Sequence, residues 1–428
     1  MRVWSAPGRL VALALAVTPW AASADENGIR VGEGRLHPYI EVESRYDTLV
    51  GYVGEADALT GATTLNPYGD LGMHYRPGFD LEVPSESVAF DLSASVDIVQ
   101  YLGTENEGTT EHDRVGAEAD AAATFNPNGN VYFKVEDTFR RSDRTSMMVL
   151  TVGSITDFNL ARVRLGIQPG SKALVIEPGY SLAFEHFEQE DGALAANCTD
   201  NDPTCDPDSV TAFDYLTHTV HLDASWKFLP KTALVFDSAY ASRSYIGELK
   251  AADGSGRSVR PLEEFDADSL KLMAGVAGLV TSKLSVTLKG GWGDQLKGGV
   301  GFKSVLGLAE AGYRASEQFE LKAGYLRSFE SHPGPSLFYS DDRIYASARA
   351  AFGESLAVTG EVSLDTIEFG DDRSDDLVRV AVGPTYEITR WLGVSAGFAH
   401  TKRDSTVADA GLVDYNRQEF FARMRASY

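Results

Sequence analysis

Polar and apolar side chains take turns along most of this chain, with a period of two. Leu71, Met73, Tyr75, Pro77, Phe79, Leu81 and Val83 alternate with Gly72, His74, Arg76, Asp80 and Glu82. Phe90, Leu92, Ala94, Val96 and Ile98 alternate with Asp91, Ser93, Ser95 and Asp97, and Val220, Leu222, Ala224, Trp226 and Phe228 with Thr219, His221, Asp223 and Lys227. Even the last ten residues keep the rhythm, with Phe420, Ala422, Met424, Ala426 and Tyr428 set against Glu419, Arg423 and Arg425. Successive side chains of a strand point to opposite faces, so each stretch predicts a strand with one apolar and one polar face. Nothing of helical period competes with it.

The connections alternate as well. Short ones, most of them supplying Pro, Gly, Asn or Ser, fall at Val83–Ser87, Asn126–Asn130, Gln168–Lys172, Leu229–Lys231, Thr281–Lys283, Ala315–Gln318, Gly353–Ser355 and Thr389–Arg390. Between them lie looser excursions, at Asp47–Asn66, Thr104–Asp113, Ser142–Thr156, Glu188–Phe213, Glu248–Phe265, Asp294–Gly298, Ser331–Ser336, Gly370–Asp376 and Lys402–Leu412. Brief turns on one side and extended loops on the other mark an outer-membrane barrel, with both chain ends on the periplasmic side. The predicted fold is all-β, a transmembrane antiparallel barrel of about 18 strands over residues 37–428. A soluble propeller or sandwich also alternates, but aromatic residues crowd both strand ends here. Near the short turns stand Tyr39, Phe125, Tyr132, Trp226, Phe228, Phe319, Phe352, Tyr386, Trp391 and Tyr428. Near the long loops stand Tyr46, Tyr101, Phe139, Phe158, Tyr240, Trp292, Phe329, Phe369 and Phe398. Two such sets match the aromatic girdles of a spanning barrel. In lipid no backbone group stays unpaired, so the last strand must zip to the first, at Pro38–Tyr46.

Composition narrows the picture. No stretch beyond the first two dozen residues approaches the roughly 18–20 apolar residues that a spanning helix needs. Residues 1–24 predict a secretory signal peptide, with Arg2 and Arg9, an apolar run from Leu10 to Val17, and the small residues Ala22-Ser23-Ala24. Residues 25–36 are then a short periplasmic segment, and the cell outer membrane is the expected location. The net charge of −24 repels nucleic acid. The two cysteines, Cys198 and Cys205, stand in an acidic loop and predict one disulfide in an oxidising compartment. Asp200, Asp202, Asp206 and Asp208 share that loop without the glycine and closing glutamate of a calcium loop, so neither metal nor cofactor is expected.

If the apolar faces meet lipid, the polar faces line a lumen, and barrels of this size enclose water. Candidate solute contacts on the acidic early strands are Asp91, Asp97, Glu118 and Asp120. Those on the later strands are Arg343, Arg349, Glu361, Asp365, Arg379, Arg423 and Arg425. Opposed signs on facing walls orient polar solutes, whereas pairing within the wall reduces the same residues to buttresses. His74 and His221 have acidic neighbours, but no nucleophile elbow, metal-ligand cluster or phosphate loop accompanies them, so an enzyme is not expected.

The closing stretch Trp391–Tyr428 carries Leu392-Gly393, Arg403-Asp404-Ser405 and Asp414-Tyr415-Asn416-Arg417. It resembles the second family of outer-membrane β-barrel porins, as does the first strand, Leu36–Val50, with Thr48 where an Asn is common. The resemblance is motif-level over the last 40 or so residues and architectural between. It implies a barrel that exports a secreted polysaccharide together with a periplasmic polysaccharide export protein. A diffusion porin for small polar solutes is the alternative. The resemblance also marks Phe420 and Tyr428 as a C-terminal signal to the outer-membrane barrel assembly machinery.

Overall fold

The computed structural model describes residues 28–56, 63–104, 113–142, 154–170, 172–189, 213–250, 258–259, 265–297, 301–331, 338–370, 372–406 and 414–428. The expected signal peptide, and Cys198 and Cys205 with their expected disulfide, lie outside the described residues.

Eighteen strands form the wall. They are β1 (Gly34–Ala56), β2 (Thr63–Val83), β3 (Val88–Tyr101), β4 (Arg114–Phe125), β5 (Val131–Ser142), β6 (Ser154–Ile167), β7 (Leu174–Gln189), β8 (Tyr215–Leu229) and β9 (Thr232–Tyr245). The second half comprises β10 (Ala267–Leu279), β11 (Leu284–Lys297), β12 (Lys303–Arg314), β13 (Phe319–Ser331), β14 (Phe338–Phe352), β15 (Leu356–Phe369), β16 (Ser374–Thr389), β17 (Leu392–Ser405) and β18 (Tyr415–Ser427). Each pairs antiparallel with its sequence neighbours, and β18 closes on β1 from Tyr39↔Ser427 to Asp47↔Glu419. The expected seam at Pro38–Tyr46 is therefore where the barrel closes, and Tyr428 N–H donates to Pro38 C=O at 3.0 Å. On the same rim Ile29–Val31 folds back on Gly34–Leu36.

The short turns fall where Pro, Gly and Asn set them. Asn126 takes φ 54°, and its side-chain amide donates to Val131 C=O at 2.7 Å, locking the β4–β5 turn. Gly170 (φ 60°) and Gly353 (φ 69°) occupy the left-handed conformation that glycine adopts at least cost. At the opposite rim the strands outrun the sequence expectation. The excursion at Asp47–Asn66 is largely ladder, paired from Gly51↔Tyr68 to Ala56↔Thr63 beyond an irregularity after Asp47. Pairing satisfies the backbone as well above the membrane as within it, so nothing obliges the strands to stop at the lipid boundary.

Apolar side chains alternate outward with large exposure: Ile40, Val220, Val305, Ile344 and Leu364 are all exposed. Charged outward-facing residues gather toward the long-loop ends, as in the pairs Arg141–Asp157 (2.7 Å), Lys303–Asp294 (3.5 Å), Arg327–Asp342 and Lys402–Asp404 (2.6 Å). Asp137 intrudes into the apolar band, where it accepts from Asn159 Nδ2 at 3.2 Å. The short-turn girdle holds outward Phe125, Trp226, Phe228, Phe319, Phe352, Tyr386, Trp391 and Tyr428. Tyr39 and Tyr132 leave it: they share the inward phase of Glu41 and Lys134. At the other end Phe329 and Phe369 are buried inside rather than exposed to lipid. Strand-end aromatics serve two jobs here, and spacing alone does not separate them.

Candidate functional site: the lumen wall

The inward phase of the strands is a band of charged and hydroxyl side chains, and most of its charges hold one another. The densest network spans the seam. Glu43, fully enclosed, receives Arg45 at 2.6 Å and Arg423 Nε at 2.7 Å, with Arg76 at 3.5 Å. Arg423 also reaches Glu41 at 3.3 Å, and Arg76 joins Glu41 at 2.8 Å to Asp97 at 3.0 Å. His74 adds a contact to Asp97 at 3.1 Å. Higher up, Arg417 Nε bonds Asp47 at 2.9 Å, and Arg45 reaches Glu419 at 3.2 Å. Four strands, β18, β1, β2 and β3, are thus tied across the line where first and last meet.

A second network runs over β14–β17. Arg343 bridges Asp341 at 3.0 Å and Asp365, which also accepts from Ser363 Oγ at 2.8 Å. Asp375 takes Arg373 at 2.8 Å together with Arg403 and Ser405. On β4 and β5, Glu118 pairs with Arg140 at 2.9 Å and Asp120 accepts from Thr138 Oγ1 at 2.7 Å.

The residues expected to meet solute therefore divide. Asp97, Glu118, Asp120, Arg343, Asp365 and Arg423 all have partners within the wall. Arg425 lies over the Tyr39 ring, 3.8 Å from its centroid, and touches Asp80 at 3.3 Å. Asp91, Arg349 and Glu361 make no ion pair or side-chain hydrogen bond among the described residues, and Arg379 Nη1 is enclosed without a partner. Arg349, Glu361 and Arg379 stand on successive strands in diagonal register, with Arg349 opposite Thr359, Glu361 opposite Ala381 and Arg379 opposite Ser363. Arg349 and Glu361 leave charge of both signs free for water or a polar guest, whereas Arg379 is enclosed near the carboxylates of Asp365 and Asp341.

Pattern reading did not find the aromatic cluster at the long-loop end. Phe187, Tyr215, Tyr245, Leu306, Phe329 and Phe338 are all buried there, with Phe302, Phe329 and Phe338 stacked at centroid distances of 5.8 and 4.9 Å. Arg243 lies 4.0 Å over the Tyr215 ring, whose hydroxyl donates to Glu185. At the margin of the cluster Asp214 accepts from Phe187 N–H at 2.8 Å and contacts His186 at 2.6 Å, while burial raises its pKa. The available signal is an aromatic in the polar phase of a strand: Phe187 and Tyr245 share parity with Glu185 and Arg243. The mouth is thus apolar and filled over β7–β14, and charged at the seam.

A groove of about 430 Å³ lies outside the lumen, on the lipid-facing surface beside the seam, between Val42, Met73, Tyr386, Val394 and Met424 over small Ala396 and Ala422. It shares no chemistry with the passage.

Several solved structures are similar in fold. A variant of the ferric enterobactin receptor PfeA from Pseudomonas aeruginosa is 9% identical over 92% of this chain and 80% of the receptor, with a TM-score of 0.46. OccK3 (OpdO), from the same organism, is 11% identical over 92% of this chain and 95% of its own, also at 0.46. OccAB3 of Acinetobacter baumannii is 11% identical over 92% and 99%, at 0.44. No curated protein matches the chain. A sequence profile does: the family described as "putative beta-barrel porin 2" matches residues 214–428, half of the chain, and the protein belongs to that family of outer-membrane barrels.

Proposed function

We propose that this outer-membrane channel exports a secreted polysaccharide, working with a periplasmic polysaccharide export protein. The observation that carries the reading is the character of the lumen wall. Acids, bases and hydroxyls are interspersed on the inward phase, most charges are already neutralised by neighbours, and a few remain open. Such a wall stays wet and offers hydrogen bonds at every height without holding a strong net charge, which suits a long hydrophilic polymer that must enter, bind weakly and leave.

The partner would dock at the short-turn rim. Lys172, Lys231 and Lys283 stand there, with Lys172 Nζ 2.9 Å from Asn128 C=O and Lys283 Nζ 2.6 Å from Ala315 C=O, so two of the three ammonium groups are held at the turn surface. Fixed cations on a rim favour an acidic docking face. Phe420 on β18 and Tyr428 just after it are both exposed on the outward phase, which supports their being read by the barrel assembly machinery before the seam closes.

Deleting the gene tests the reading. The expected result is loss of surface or matrix polysaccharide with polymer retained in the periplasm. Unchanged polysaccharide with reduced uptake of small polar solutes would overturn it in favour of a diffusion porin.

A further inference from the structure

Several tyrosines on the inward phase of the wall lie across a glycine of the adjacent strand, and three of them press on it most closely. Tyr39 faces Gly78, Tyr132 faces Gly166 and Tyr345 faces Gly324 in direct register. A Cβ placed on Gly78 would fall 2.5 Å from Tyr39 Cζ, one on Gly324 would fall 2.6 Å from Tyr345 Cζ, and one on Gly166 would collide with Tyr132 more severely. Only a residue without a side chain lets the ring lie down. Glycine in a strand interior otherwise weakens it, and its repeated place beneath a ring marks a built arrangement.

A ring lying on the wall turns one face to the backbone and the other to the passage. Its hydroxyl is pinned at the far end: Tyr132 donates to Glu177 at 2.6 Å, and Tyr345 donates to Glu310. The lumen face of Tyr39 is already covered by Arg425. Among the described residues the other two faces carry no stacked guanidinium; Lys322 Nζ lies 6.0 Å from the Tyr345 centroid. Polar groups flank both rings. Beside Tyr345 stand Ser347 and the unpaired Glu361 directly opposite it, and beside Tyr132 stands Lys134. A flat, fixed aromatic face edged by hydrogen-bonding groups is complementary to a pyranose, whose C–H face packs on the ring while its hydroxyls meet the edge groups.

Resting on the export reading above, we propose that Tyr132 and Tyr345 are two stacking subsites for the sugar rings of the polymer. Tyr132, the second residue of β5, lies at the periplasmic rim and Tyr345 about midway up β14, so a chain entering from the periplasm meets them in that order. Each contact is weak and indifferent to linkage, which permits movement from one to the next.

The test uses the purified full-length barrel in a planar bilayer, with a neutral glucan hexasaccharide and an oligogalacturonate as probes. Wild-type channels are expected to show brief current blocks. Tyr132→Leu and Tyr345→Leu should shorten the block by about threefold to tenfold with open conductance and heat-modifiable mobility retained, whereas the Phe variants, which keep the ring, should stay close to wild type. Gly324→Ala, which lifts the Tyr345 ring off the wall, should act like Tyr345→Leu and serves if that variant fails to fold. Blocks of wild-type length in the Leu and Gly324→Ala variants would overturn the stacking sites and leave the export reading standing. A wild-type channel that conducts ions and is blocked by neither saccharide would overturn both.

Discussion

Glu43 is fully enclosed and touched by three arginines drawn from three strands. Removing it leaves Arg45, Arg76 and Arg423 crowded without their shared counter-charge, a loss of the kind that costs about 3–5 kcal/mol when a buried pair is broken. Glu43→Ala should therefore lower the unfolding free energy of the barrel, read by urea titration in vesicles, by that much. Arg349→Ala, which strands no partner, should move it by less than about 0.5 kcal/mol. Equal midpoints for the two variants would show that the seam network adds nothing to closure. The sequence reveals that Glu43, Arg423 and Arg76 face the lumen, because parity alone decides it. It does not reveal that they meet, because Glu43 and Arg423 stand 380 positions apart and come together only through closure.

At the scale of the strand, period and turn chemistry made the elements legible: all eight short turns lie where expected, all but Thr389–Arg390 on stretches with Pro, Gly, Asn or Ser, and the lipid face is the apolar phase apart from intrusions such as Asp137. Strand length above the membrane was not legible, because polar residues fit a solvated ladder as well as a loop. Phase carries the energetics. Leu364 points into lipid midway along β15, so Leu364→Arg should destabilise the barrel by about 2–4 kcal/mol. Ser347→Arg, on the lumen phase of β14, should be nearly neutral in the same urea titration. A matching loss at both sites would place the strand faces the wrong way round. The final strand is subject to a second, kinetic demand. Tyr428→Ser combined with Phe420→Ser should reduce folded protein in the outer membrane severalfold while leaving refolding into detergent micelles unchanged, because the change falls on recognition rather than on pairing. A parallel fall in both measurements would mean that the two rings act only through stability.

The whole molecule carries a net charge of −24, and a channel with that charge on its wall would select cations strongly. The charge is not on the wall. Among the described residues, inward acids and bases nearly balance, and most are paired with each other. The outward collar near the long loops is richer in acids, with Asp157, Glu188, Asp268, Asp294, Asp342, Asp376 and Asp404 against Arg141, Lys303, Arg327 and Lys402. Collar charges are separated from the pore axis by the wall, and at physiological salt their field decays over about 8 Å. A purified channel under a salt gradient should therefore show a reversal potential close to zero, and the small residual cation preference should vanish as ionic strength rises. The aromatic cluster over β7–β14 adds to this, since it fills part of the mouth with uncharged surface and leaves ions to pass beside the balanced seam. A reversal potential near the ideal cation limit, persisting at high salt, would mean that the loop acids line the conducting path, and the neutral-wall argument for polymer passage would go with it.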